Sequence, residues 1–310
     1  MESGVIDVAA LPGGFDLQST VESGQSYLWR REDGRMYETD DPYGGSDQYY
    51  TVVDGEVIRA RQEGTELRWE STTDAEPYLF DLLRLDDDLE AIVAASPNDD
   101  LIREAYDAYC GLRLVRDPPF GCLVSFICSA QMRVSRIHSM VTALAEAYGT
   151  PVEFDGGTYY AFPTPEQLAG ATEAELRDLG LGYRAPYVQR TAEMVADGEA
   201  HPADARDLPY EEARDYLTQF VGVGDKVADC VLLFSLDFLE AVPLDTWIRS
   251  TIEEYYPEAD RGNYADTSRA IRQRFGSPAS AADGGSSGSA GEGTYAGYVQ
   301  TYVFHHLRTA

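Results

Sequence analysis

Among the 24 basic residues of this 310-residue chain, a single one is lysine: Lys226. Arginine serves at every other basic position, so a retained amine points to chemistry that a guanidinium cannot perform. An amine can give up its proton, attack an electrophilic carbon and form an imine. Lys226 also falls in the first turn of a helix predicted over 226–236, where the peptide dipoles disfavour an ammonium ion. Immediately upstream, Gly222-Val223-Gly224 separates that helix from one predicted over 210–220. Two glycines flanking an aliphatic residue between amphipathic helices make a tight hairpin. Its backbone N–H groups can bind an anion such as a DNA phosphate. A plain helix corner would use the same two glycines. Further along, in Ala241-Val242-Pro243-Leu244-Asp245-Thr246-Trp247, Pro243 stops one element and Asp245 opens the next. An aspartate there serves as an N-cap. Beside an amine nucleophile it can also assist deprotonation or stabilise a cationic sugar.

The elements that must position these groups follow from one change of hydrophobic period. Strands are predicted over 49–53 and 56–60 around the turn Asp54-Gly55, and the chain then turns through Gln62-Glu63-Gly64 into 67–69. That is an antiparallel meander. From Pro77 the apolar spacing becomes about 3.6. Helices are predicted over 89–95, 99–109, 134–148, 173–179, 185–196, 210–220, 226–236, 246–255 and 295–307. The Gly- and Ser-rich stretch over 283–293 is read as a flexible loop. The fold class expected is α+β, mainly α: a small antiparallel sheet domain over 1–96, then an all-helical domain over 97–310.

The charge balance is 54 acidic against 24 basic residues, a net charge of -30. In dilute solution such a surface repels nucleic acid. Carboxylates spread through every segment, with lysine nearly absent, are instead the composition of a protein kept soluble in concentrated salt. At about 1 M salt the Debye length is roughly 3 Å, which screens that repulsion. A halophilic microbial source is the expectation. The acidic coat also has gaps. Pro118 to Ala145 holds no Asp or Glu but carries Arg133, Arg136 and His138, and Leu176 to Arg190 holds three arginines against one aspartate. These segments are the expected nucleic-acid surface.

A hydrophobic fraction of 44% and a mean hydropathy of -0.34 describe a soluble globular chain. Apolar runs such as Val231-Leu232-Leu233-Phe234 are far too short to span a bilayer, so no membrane partner is expected. Glu2 and Asp7 exclude a secretory n-region, which makes the cytoplasm, at the nucleoid, the expected compartment. Cys110, Cys122, Cys128 and Cys230 form no CxxC pair. That excludes a four-cysteine zinc or iron–sulfur site of conventional spacing, and neither metal nor cofactor is expected.

The hairpin Gly222-Val223-Gly224, Lys226 and Val242-Pro243-Leu244-Asp245 together resemble the helix-hairpin-helix (HhH-GPD) glycosylase signature, in which a lysine at this place marks members that are also lyases. The similarity extends to the eukaryotic type of 8-oxoguanine DNA glycosylase. It is carried by Phe15-Asp16-Leu17, Glu22-Ser23-Gly24-Gln25-Ser26-Tyr27-Leu28-Trp29, Ser125-Phe126-Ile127-Cys128-Ser129, Tyr160-Ala161-Phe162-Pro163, Leu179-Gly180-Leu181-Gly182-Tyr183-Arg184-Ala185 and Gly224-Asp225-Lys226-Val227-Ala228-Asp229-Cys230. These lie in the family's order between residues 15 and 308.

The resemblance implies a bifunctional DNA glycosylase/AP lyase of base excision repair. It would act as a monomer, without cofactor, on double-stranded DNA containing an oxidised purine. Lys226 would be the nucleophile and Asp245 the assisting carboxylate. Gly222, Gly224 and Val227 would bind a phosphate through backbone N–H groups. Gly24 would accept the N–H that oxidation adds to the purine, Cys230 and Phe304 would sandwich the flipped base, and Gln300 would meet its Watson–Crick edge. Tyr183, Arg184, Gln131 and Arg136 would fill the gap in the duplex and read the opposite base. Gln131-Met132-Arg133 stands where the family usually has an Asn run, and Trp247 replaces a histidine, leaving DNA stacking or packing open for it. From the residues alone, Cys230 and Phe304 also suit a core and Tyr183 a helix staple, while His305 and His306 are read as surface residues. Two rival functions follow from the same motifs: a monofunctional alkylpurine glycosylase using water and Asp245, or a non-enzymatic helix-hairpin-helix DNA-binding module.

Overall fold

In a computed structural model of the chain, residues 1–38, 41, 43–276 and 294–309 are described. The loop expected over 283–293 lies outside them. The N-terminal region contains five strands, β1 (Glu2–Asp7), β2 (Arg30–Arg31), β3 (Gln48–Val53), β4 (Glu56–Glu63) and β5 (Glu66–Ser71), in the spatial order β1-β5-β4-β3-β2 with every pair antiparallel. Asp54 and Gly55 both take positive φ, 54° and 81°. A two-residue hairpin needs this if its turn is to follow the strand twist. Strand β1 was not predicted, because Glu2-Ser3-Gly4-Val5-Ile6-Asp7 has little alternation. Its place is set by pairing with β5, where Gly4 lets the Trp69 ring cross it: a Cβ at Gly4 would lie 2.5 Å from that ring.

Helix α1 (Leu17–Glu22) interrupts the strands and is buried along its length, with Asp16 accepting from the Ser19 N–H at 2.7 Å as its N-cap. Helix α2 (Glu76–Leu82) closes the sheet's core, in which Ile6, Trp29, Tyr49, Ile58, Leu67 and Trp69 pack with Leu79 and Leu85.

The remaining elements build a second core. They are α3 (Leu89–Ala95), α4 (Asp100–Ala108), α5 (Pro119–Cys128), α6 (Val134–Tyr148), the hairpin β6 (Pro151–Phe154) and β7 (Gly157–Tyr160), α7 (Pro165–Ala169), α8 (Glu173–Asp178), α9 (Ala185–Ala196), α10 (Tyr210–Leu217), α11 (Asp225–Ser235), α12 (Thr246–Tyr255), α13 (Tyr264–Gly276) and α14 (Ala296–Thr309). The chain is thus mainly helical behind a small N-terminal sheet, as expected. Helix α10 stops short of its predicted end at 220. Thr218, Gln219 and Phe220 bond three residues back instead, which brings Phe220 into the core before the glycine turn.

Helix α5 has no amphipathic period and escaped the sequence reading. Nearly every one of its side chains is buried, so it is apolar all round. It lies against α11, with the Phe126 and Phe234 rings stacked at 5.6 Å. Tyr27, from the N-terminal segment, packs into this second core rather than the first.

Candidate active site

The amine is placed by the turn before α11. Gly222 has φ +87°, and a Cβ there would lie 2.8 Å from the Tyr187 side chain, so only glycine lets α9 close on this turn. Val223 and Val227 are buried beneath it. Gly224 is the extended N-cap of α11 and supplies no side-chain cap. The first N–H groups of the helix are therefore left to an external acceptor. Lys226 is half-buried, and its Nζ donates to Ser129 Oγ at 2.9 Å and stands 5.6 Å from the centre of the Phe126 ring. Ser129 Oγ in turn donates to the Phe126 carbonyl at 2.7 Å, which leaves its lone pairs to face the amine. Sequence reasoning had placed Ser129 only within a motif.

Asp245 is the N-cap of α12 and accepts from the Ile248 N–H at 2.8 Å. Burial pushes its carboxyl up, while that bond, the Lys226 charge and the Trp247 N–H pull it back. The cap and the proximity to Lys226 thus coexist in one residue. Behind both lies a buried carboxylate that the sequence reading did not single out. Asp229, in the turn after Lys226, accepts from the Tyr210 hydroxyl at 2.6 Å and from the Tyr264 hydroxyl at 2.7 Å. Tyr264 Oη also accepts from the Leu244 N–H at 3.2 Å. One phenol on α13 thereby ties α11 to the backbone one residue before Asp245. Burial pushes Asp229 up to about 7 against the pull of the two phenols and of Arg214 and Arg272.

A second wall is built around Gly24, whose φ is +90°. Gln25 holds this loop with three bonds: its amide donates to the carbonyls of Thr20 at 2.9 Å and Arg113 at 2.7 Å, and its oxygen accepts from the Val115 N–H at 2.9 Å. Ser26 Oγ donates to Asp117 at 2.9 Å. A Cβ on Gly24 would meet Val134 at 3.0 Å, Arg308 Nη1 at 3.4 Å and Phe304 at 3.5 Å. Phe304 is half-buried, and Gln300, one turn earlier on α14, is buried and accepts from Thr301 Oγ1 at 3.3 Å. Cys230 is buried one turn beyond Lys226, and burial pushes its thiol up to about 12. It stays a thiol and forms apolar wall. Tyr27 bridges the two walls: it packs edge-on against Phe126 at 5.8 Å, and its hydroxyl is within the electrostatic reach of Cys230, Arg308 and Asp245.

Around this site Gln131, Arg133 and Arg136 are exposed, Tyr183 is 51% exposed and Trp247 44%. Gln131 has φ +56°. Among the described residues, neither Arg133 nor Arg136 makes an ion pair, in a chain with 54 acidic side chains. Arg136 lies over the Gly180 turn, where a Cβ would come within 2.8 Å of its Nη2.

Three expectations are corrected. Arg184 is buried, not presented at the surface: it donates to the Ala130 carbonyl and its guanidinium sits 4.3 Å from the Tyr183 ring centre. The start of α9 at Ala185 turns it inward, where it braces Tyr183 and the chain leading to Gln131. His138 shares a hydrogen bond with the Trp29 carbonyl at 3.0 Å, and burial pushes its imidazole down to about 4. It is neutral at neutral pH and contributes no cation to the arginine surface. His305 is fully buried, with its ring 4.4 Å from that of Tyr109, and His306 is half-buried. Helix α14 packs against α4, α12 and α13, so its buried side is wider than the predicted stripe.

The chain is 30% identical, over 96% of its length, to the probable N-glycosylase/DNA lyase of Methanothermobacter thermautotrophicus, and covers 94% of that protein. It belongs to the N-glycosylase/DNA lyase family. The N-glycosylase/DNA lyase of Saccharomyces cerevisiae is likewise 30% identical, over 80% of this chain and 70% of its own. The family's two parts match in order: the 8-oxoguanine DNA glycosylase N-terminal domain over residues 8–123, and the HhH-GPD superfamily of base excision DNA repair proteins over residues 124–277. The crystal structure of the Clostridium acetobutylicum 8-oxoguanine glycosylase/lyase with double-stranded DNA containing cytosine opposite 8-oxoguanine superposes with a TM-score of 0.77, at 26% identity, over 95% of this chain and 92% of that one. Among the described residues, no helix is long and apolar enough to cross a membrane.

Proposed function

We propose that this chain is a bifunctional DNA glycosylase/AP lyase that removes 8-oxoguanine from duplex DNA. The observation that carries this reading is the chain's one lysine amine, held 2.9 Å from Ser129 Oγ in the field of the half-buried Asp245 carboxyl. An alkylpurine glycosylase that activates water needs no such amine, and a DNA-binding module needs neither group.

The damaged purine leaves the stack at a cost of a few kcal/mol. The Lys226 amine attacks the anomeric carbon as the bond from that carbon to the base nitrogen breaks, and its electron pair leaves with the purine, which takes up a proton. The Asp245 carboxylate stabilises the positive charge that develops on the sugar. Opening of the sugar ring yields an imine. Loss of a proton from the 2′ carbon then expels the 3′ phosphate, and hydrolysis of the imine restores the amine. The glycine turn at Gly222 and Gly224 supplies backbone N–H groups to a phosphate, and Arg133 and Arg136 supply charge to the strand backbone. Tyr183 and Gln131, both exposed, occupy the gap left by the extruded base. The enzyme works as a monomer at the nucleoid, and its acidic coat is an adaptation to concentrated salt.

The test is incision of duplexes bearing one 8-oxoguanine opposite each normal base, at low and multimolar salt, with borohydride present. The expected result is a covalent protein–DNA adduct that Lys226→Gln abolishes. Incision that survives this substitution would overturn the imine route, and an optimum at low salt would overturn the reading of the charge.

A further inference from the structure

Arg308 lies one turn beyond Phe304 on α14, on the same face, and is half-buried. Its Nη2 donates to the Glu22 carbonyl at 2.6 Å and meets His305 Nδ1 at 2.9 Å. These two contacts fix the plane of the guanidinium. The Glu22 carboxylate is engaged by the Tyr49 hydroxyl at 2.7 Å, the Tyr37 N–H at 2.8 Å and Arg31 at 3.6 Å. Among the described residues, Arg308 forms no ion pair and its buried Nε has no hydrogen-bond partner. Nη1 is the nitrogen that stands 3.4 Å from a Cβ on Gly24, beside the Phe304 ring edge at 3.5 Å. A fixed cationic donor, unsatisfied by the protein, thus borders the wall at which the base would sit.

Oxidation of guanine at C8 does two things on one edge of the ring. It turns N7 from an acceptor into an N–H donor, and it places a carbonyl oxygen on the adjacent carbon. A wall that reads both changes must offer an acceptor next to a donor. Among the described residues, the Gly24 carbonyl takes no hydrogen bond, so it is free to be that acceptor. We infer that Arg308 is the donor: a specificity-determining residue whose Nη1 hydrogen-bonds the C8 carbonyl oxygen of the oxidised purine. Guanine offers C8–H at the same place and leaves the guanidinium unpaired, which is how a polar site rejects an analogue that lacks its partner group. The inference rests on the proposed reading that an oxidised purine enters beside Gly24.

The experiment compares Arg308→Met and Arg308→Lys with the wild type in two single-turnover assays on the same preparations: excision of 8-oxoguanine opposite cytosine, and incision at an abasic site, which involves no base. Methionine keeps the apolar stem. Lysine keeps the charge but lacks the fork that reaches Glu22 and the pocket together. The ratio of excision to abasic incision should fall about 10–100-fold in both variants, the range for losing a charged hydrogen bond in a closed site. In a Lys226→Gln background, binding preference for 8-oxoguanine over guanine duplexes should shrink by the same factor. An unchanged ratio and preference, or equal losses in both assays, would overturn the role and leave Arg308 as a fastener of α14. A wild type that incises abasic DNA but leaves 8-oxoguanine untouched would instead overturn the proposed substrate.

Discussion

Lys226 Nζ donates to Ser129 Oγ at 2.9 Å, and the serine proton is spent on the Phe126 carbonyl at 2.7 Å. The amine is thus oriented by the residue that caps the C-terminus of α5 and not by its own helix. The two helices meet through the stacked rings of Phe126 and Phe234. A reactive group on one rigid helix, aimed by an acceptor on another, is held with less freedom than a long side chain has by itself. In Ser129→Ala the amine loses this partner. Borohydride trapping and single-turnover excision should slow by about 10-fold, the order of one orienting hydrogen bond, while DNA affinity measured in a gel-shift stays the same. An equal loss of affinity would place the effect in binding.

Asp245→Asn separates the two roles of that residue. Asparagine caps a helix about as well as aspartate, so stability should change by less than about 1 kcal/mol. The charge is lost, and excision should fall by about 100-fold or more. Because burial raises the wild-type carboxyl, its working ionised form is lost on acidification at a higher pH than for an ordinary aspartate. A pH–rate profile of the wild type should therefore bend downward above the usual carboxylate range, and thermal melts of both proteins check the cap.

Tyr264→Phe removes the hydroxyl that joins Asp229 to the Leu244 N–H. Both partners stay buried and lose a bond, which costs about 1–3 kcal/mol of stability. The loop bearing Asp245 is then tied less tightly to α11, so the single-turnover rate should fall while affinity for abasic DNA holds. Urea denaturation and single-turnover kinetics on one preparation read both effects. A stability loss with an unchanged rate would confine Tyr264 to packing.

Asp117 sets a pH dependence of folding. Burial raises its carboxyl to about 7, with Ser26 as the hydrogen-bond donor that lowers it. The native state therefore holds this proton over a range in which the unfolded chain has released it. Its contribution to stability falls as pH rises from about 4 to about 7 and is flat above that. Asp117→Asn keeps the acceptor for Ser26 and has no proton to lose. Its stability advantage over the wild type should grow across that window to about 2–4 kcal/mol at pH 8. Denaturation of both proteins at pH 4, 6 and 8 in fixed salt is the measurement, and a difference independent of pH contradicts the assignment.

Much of this protein was already legible in its residues. The solitary amine, the two-glycine turn ahead of it and the aspartate after Pro243 were chosen on chemistry alone; in the structure the turn opens the amine's helix, and the amine's charge acts on the aspartate. Helices α3, α6, α9 and α12 begin and end where their apolar period predicts, because each buries one face and leaves the other to water. What escaped lacked that contrast. Helix α5 is buried on all sides, α1 is only six residues long, and β1 depends on a partner that arrives much later in the chain. Only the tertiary structure decided where the polar groups went. The bond that aims Lys226 spans 97 residues, the one that hides Arg184 spans 54, and the one that draws His138 inward spans 109. Periodicity reports which face of an element meets apolar matter. It carries no information about which distant carbonyl or hydroxyl will meet a buried charge, and in this chain those meetings settle which cations reach the surface and where the one lysine amine is held.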